Sequence, residues 1–103
     1  MIVKETARSV YLDVSTIAWE PTPHPGVERK TVLLRMAPGA QLPDHRHVGV
    51  EQSFVLEGAL ADEEGTCTAG NFVWRRPGSV HRAWSPDGCL LLAIFEAPNE
   101  FLA

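Results

Sequence analysis

Short apolar or alternating runs recur along the chain at residues 9–14, 16–19, 28–37, 50–56, 71–75, 80–84 and 89–95. Between them stand turn-forming residues: Pro38-Gly39, Pro43-Asp44, Gly58, the stretch 62–65, Pro77-Gly78 and Pro86-Asp87-Gly88. Many short strands punctuated in this way predict a β-sandwich or barrel. Within 28–37, Val32, Leu34 and Met36 share one face while Leu33 and Arg35 share the other. The unbroken apolar run 90–95 predicts a strand buried on both faces. The proline-rich run 20–26 predicts an extended loop, because proline removes a backbone donor and fixes φ. No segment sustains a 3.6-residue period with caps, so almost no helix is expected. The fold class is all-β, with a closed or two-sheet form to cover the strand edges.

A chain of 103 residues has room for one domain. Its 45% hydrophobic and 21% charged residues exclude a largely disordered chain. Thirteen acidic residues against nine basic ones leave a net charge of −4, which argues against nucleic acid as a partner. No apolar stretch reaches membrane-spanning length, so no membrane association is expected. Residues 1–10 include Lys4, Glu5 and Arg8 and lack a signal-peptide core. Cys67 and Cys89 form no CxxC pair and read as small buried hydrophobes. The expected location is cytoplasmic.

Histidine changes the picture. There are four, and His45 and His47 lie one residue apart. On a strand their imidazoles project from the same face. Val48-Gly49-Val50 is short enough to turn the chain, with Gly49 free to take a positive φ, so that Glu51 opens the returning strand beside them. One more histidine, from elsewhere, would complete three nitrogens and one oxygen, and a further strand begins at Val80-His81. Such a donor set suits a divalent transition metal. Four protein ligands leave two open positions on an octahedral ion but none on tetrahedral zinc, so both catalysis and inert structural binding stay open.

These residues resemble a known signature. The spacing G-x5-H-x-H-x3-E-x6-G of the cupin superfamily is filled at Gly39, His45, His47, Glu51 and Gly58. The second cupin signature, G-x5-P-x-G-x2-H-x3-N, fits Gly70, Gly78 and His81, with Arg76 in place of the proline and Ser85 in place of the asparagine. Trp19, Pro25-Gly26-Val27, the stretches 33–40 and 55–58, Asp62-Glu63 with Gly65, and Gly88-Cys89 further resemble the ChrR-like cupins. The resemblance implies an RmlC-like jelly-roll barrel, a double-stranded β-helix with its core at about 19–96, forming a single cupin domain over 1–103. It implies that His45, His47, Glu51 and His81 hold one divalent transition metal (Fe, Zn, Ni or Mn). It also implies a homodimer and a small-molecule ligand or substrate in the barrel.

Other side chains receive plainer readings. Glu51 is also a candidate general base, although a bound cation would depress its pKa and favours the ligand role. Ser53 and Val55 share its parity and should face the interior. Core packing accounts for Phe54, Phe72, Trp74 and Trp84. His24 is expected to be solvated, Asp44 to sit in a turn, and Arg46 to point away from the histidines. The leading activity implied is that of an iron-type dioxygenase-like protein acting on a small chelating molecule. The alternative is a sensory or regulatory cupin related to the C-terminal domain of ChrR-type anti-sigma factors, without catalysis. An anti-sigma role would require a helical domain and a His/Cys zinc cluster that these residues do not supply, so any such partner is expected on another chain. A storage or structural metalloprotein is a third reading.

Overall fold

The computed structural model describes residues 2–102 and contains twelve strands and one short 3-10 turn. The strands are β1 (Ile2–Glu5), β2 (Val10–Leu12), β3 (Glu20–Pro21), β4 (Val27–Lys30), β5 (Leu33–Met36) and β6 (Gln41–Arg46), then β7 (Glu51–Asp62), β8 (Thr66–Thr68), β9 (Phe72–Arg75), β10 (Val80–Trp84), β11 (Cys89–Phe95) and β12 (Glu100–Phe101). β1 and β2 form a separate hairpin. The other ten join one continuous sheet in the order β12-β6-β10-β7-β11-β5-β4-β3, with β8 and β9 also paired to β7. The architecture is all-β, the sheet curled into a half-barrel. No helix among the described residues is long and apolar enough to cross a membrane.

β7 makes the curl. Its first half pairs with β11 and β9, and its second half with β8 and β10. The expected break at Gly58 is a bend within this single strand: Gly58 has φ 74° and lies against Cys89, next to a register shift. A Cβ at Gly58 would stand 2.0 Å from the Gly88 carbonyl oxygen, so only glycine fits. Inside the curl, Val27, Met36, Val55, Leu60, Ala83 and Leu91 form the core, with Cys89 buried and Cys67 half-buried against it.

Several elements differ from the sequence reading. The expected strand over 28–37 is a hairpin, with Lys30 paired to Leu33 across Thr31-Val32. Thr31 takes φ 50°, a conformation that costs a β-branched residue roughly 1–2 kcal/mol, and nothing in its chemistry advertises a turn. The strand expected at 16–19 is replaced by the 3-10 turn Val14–Thr16, started by the Asp13 carboxylate accepting from Ser15 N–H. Glu20–Pro21 is an edge strand, where a missing donor costs nothing. Strand β6 tolerates Pro43 because its register with β10 shifts there, and it takes in Asp44, which was expected in a turn.

β11 is not buried on both faces. Cys89, Leu91 and Ala93 point inward, while Leu90 and Leu92 are half-buried and Ile94 and Phe95 exposed. Phe54, Phe72 and Trp74 are likewise exposed rather than core residues, and Trp84 is half-buried. Their strands alternate, and the inward parity is taken by Ser53, Val55, Val73 and Arg75.

Gly58→Ala combines a strained φ with a backbone clash and should cost more than about 2 kcal/mol, read as a fall in the denaturation midpoint. Gly70→Ala, at φ 84° but with open space around it, should cost only about 1–2 kcal/mol. Equal losses would mean that the Gly58–Gly88 contact carries no weight.

Candidate metal centre

The pairing of β6 with β10 sets His45 directly opposite His81. His47, just beyond β6, is fixed through its backbone: its N–H donates to the Ser79 carbonyl (2.9 Å) and its carbonyl accepts from Gly78 N–H (2.6 Å). The turn preceding His81 therefore also places His47. Val48 to Val50 then turn the chain into β7, and Val50 N–H donates to the Glu96 carboxylate (2.9 Å). Gly49 serves this turn by close approach instead of positive φ, since a Cβ there would lie 2.9 Å from the Glu96 Cβ. Glu51 opens β7 beside the histidines.

His45, His47, Glu51 and His81 each offer a ligand atom, all within 4.8 Å of one another. The three imidazoles are 1%, 0% and 8% exposed, in chain order. The Nε2 atoms of His47 and His81 lie 2.6 Å apart. His45 donates from Nδ1 to the Pro43 carbonyl (2.7 Å), which leaves its Nε2 with a free lone pair. Glu51 accepts from the Ser53 hydroxyl at Oε1 (3.1 Å), so the inward-facing Ser53 holds the carboxylate. His47 Nδ1 and Glu51 Oε2 are 2.8 Å apart but not aligned as a hydrogen bond.

Of four buried polar side-chain atoms without a hydrogen-bond partner among the described residues, three belong to this group: His47 Nδ1, Glu51 Oε2 and His81 Nδ1. Buried polar atoms ordinarily have partners, and converging lone pairs without them fit a cation. The four residues could hold a metal ion.

Electrostatics prepares the same donors. Burial holds His81 down to about 4, aided by the positive charge of Arg75, and burial also lowers His45. At neutral pH both are neutral imidazoles, the form that binds metals. Burial alone would raise Glu51, but the contact with His47, the Ser53 hydroxyl and the Arg75 charge outweigh it and hold the pKa below the usual carboxylate value. The lowered pKa keeps Glu51 ionised and makes it a weak proton acceptor, which favours the ligand role over that of a general base.

Two residues escaped the sequence reading. Asp62, at the end of β7, lies 3.5 Å from His81 Nδ1 through Oδ2 and is ion-paired with Arg75. Its Oδ1 accepts from the backbone N–H groups of Glu64 (2.7 Å) and Gly65 (3.0 Å). Asp44, weighed as the partner of one of the candidate histidines, is exposed, and the carboxylate near His81 is that of Asp62, which does not hydrogen-bond it. The inward parity of Arg75 on β9 was the available signal. His24 is not solvated but half-buried, stacked 4.5 Å from the Phe101 ring, which in turn stands 5.2 Å from His45. His24 is outside the four-residue group. Arg46 points outward to Glu100 (2.9 Å). Ser85, in the asparagine position of the second signature, is buried and donates to the Ala59 carbonyl (2.6 Å). Arg76, in the proline position, lies over the Trp74 ring.

A curled β-sheet with three imidazoles and a carboxylate converging inside it defines a cupin. Residues 7–98 match the model of the ChrR cupin-like domain, and the chain belongs to that family. The anti-sigma-E factor ChrR of Cereibacter sphaeroides is 35% identical over 78 residues, covering 74% of this chain and 37% of its own length. This chain thus spans well under half of that relative. The structure of ChrR from Rhodobacter sphaeroides in complex with SigE is similar at a TM-score of 0.70 and 26% identity, over 82% of this chain and 52% of that one. An acetylacetone dioxygenase from Acinetobacter johnsonii shares the fold, with a TM-score of 0.81 and 19% identity over 97% of this chain and 81% of its own.

His81 must take up a proton on unfolding below its free value of 6.5. Its contribution to stability is complete above that pH and is lost as pH falls towards about 4, because the unfolded chain binds the extra proton first. The melting temperature of metal-free protein should fall over this window, and His81→Gln should flatten the slope. A variant with an unchanged slope would assign the dependence to other groups.

Proposed function

We propose that this chain is a single-domain metal cupin in which His45, His47, Glu51 and His81 hold one divalent transition metal, and that it acts as an iron-type dioxygenase-like protein on a small chelating organic molecule. The observation that carries the reading is the buried convergence of four donors, three of whose atoms lack any other partner. A bound six-coordinate ion would supply open positions for O₂ and substrate. The chain's own groups do the rest. Pro43 orients the ring of His45 and Ser53 orients Glu51, while burial keeps bulk water from the imidazoles.

The family match supports a second reading, in which the same centre senses a small molecule or oxidant and signals to a partner without turnover. Metal analysis of protein purified without chelators or immobilised nickel separates the two. Stoichiometric iron, with O₂ uptake on catechol or diketone substrates, is the expected result. Tight tetrahedral zinc with no turnover would favour the sensor. His47→Ala and Glu51→Ala should each lower metal content at least tenfold, and retention of full content in both would overturn the ligand assignment.

We also propose a homodimer. Leu92, Phe54 and Phe72 lie side by side across β11, β7 and β9 on the outer face, and in the next row Ile94 and Trp74 flank Gln52. An apolar row of this kind on a sheet face suits a second copy. Sedimentation should give a dimer for the native chain and a monomer for Phe54→Asp. A native monomer at micromolar concentration would refute it.

A further inference from the structure

A cleft of about 570 Å³ opens along β7, β8 and β9, and its residues are not those of the cavity beside Phe101. Leu60, Cys67 and Val73 line it with apolar surface, and Asn71, Ser79 and Arg75 add polar groups. Arg75 connects this cleft to the metal centre. It faces inward from β9, its side chain is only 15% exposed, and its charge reaches His45, Glu51 and His81.

One end of Arg75 is occupied, since Nη1 meets Asp62 Oδ2. Asp62 has little left to give, because its other oxygen accepts two backbone N–H groups. Nε and Nη2 of Arg75 meet no acceptor among the described residues. These N–H groups are not among the buried polar atoms that lack a partner, so they are open to the cleft and free to meet the acceptors of a guest. The Nε–Nη2 edge offers two parallel donors, a fork that matches the two oxygens of a carboxylate.

We infer that the cleft binds a small organic carboxylate, gripped at two points by Arg75 with its apolar body against Leu60, Cys67 and Val73. This rests on the metal-centre reading for its charge balance. Asp62 cancels Arg75, and Glu51 cancels half the charge of a divalent ion, so one further negative charge brings the interior to neutrality. The carboxylate is thereby selected over a neutral molecule of the same shape.

The test titrates benzoate and its neutral counterpart benzamide into the full chain, metal-loaded and metal-free, by calorimetry. Benzoate should bind the loaded protein at least tenfold more tightly than benzamide. Arg75→Gln should abolish that preference. Because this change leaves Asp62 buried and unpaired, the double variant Asp62→Asn with Arg75→Gln keeps both shapes while removing both charges, and it should also bind the two probes equally. Equal binding of both probes by the native chain, no saturable benzoate binding, or a preference retained in the double variant would each overturn the inference. Metal content is measured separately. A chain that binds no ion overturns the metal reading and with it this charge balance, whereas a metal-loaded chain that does not prefer benzoate overturns the carboxylate site alone.

Discussion

Three imidazoles and a carboxylate meet where water does not reach, and several of their polar atoms have nothing to bond to. Each buried polar atom left unpaired costs about 1–3 kcal/mol, so the remainder of the fold must hold the group together against its own preference to disperse. It does so with backbone constraints. The β6–β10 pairing fixes His45 against His81, the turn before His81 grips His47 at both backbone groups, and Glu96 closes the turn leading to Glu51. None of these uses a ligand atom, so the donors are positioned without being consumed.

The surroundings of the centre are chemically unequal. Beside His45 stands the Phe101 ring, which is itself packed against His24. Beside His81 stand Asp62 and Arg75, which bring two opposite charges to the edge of a cleft. Low local dielectric strengthens every charge interaction there, so the Asp62–Arg75 neighbourhood is where a polar guest would be discriminated.

How much of this was legible in the sequence depended on the kind of constraint. Strands β10 and β11 were readable because turn residues bracket them tightly at Pro77-Gly78 and Pro86-Asp87-Gly88. His45, His47 and Glu51 could be grouped from spacing because a short strand–turn–strand is local, whereas His81, on β10, joined them only through the resemblance to the second cupin signature. The Thr31 hairpin was invisible, because its turn is imposed by the Lys30–Leu33 register and not by turn chemistry. The outward placement of Phe54 and Trp74 was missed because aromatic character was weighed above parity. Asp62 and Arg75 were missed because they meet only through the pairing of β7 with β9 and the bend at Gly58, which no spacing rule encodes.

Strand β12 is only two residues long, yet it pairs with β6 at Arg46 and His45, and Leu102 N–H donates to the Asp44 carbonyl. Peeling it away breaks the Arg46–Glu100 pair, lifts Phe101 from the His45 ring and bares one edge of the strand that carries His45. These losses occur as one event, so the free energy of that local opening and the rigidity of His45 are linked quantities. Whatever tightens His45 in its place slows amide exchange at the far end of the chain, some fifty-five residues away in sequence.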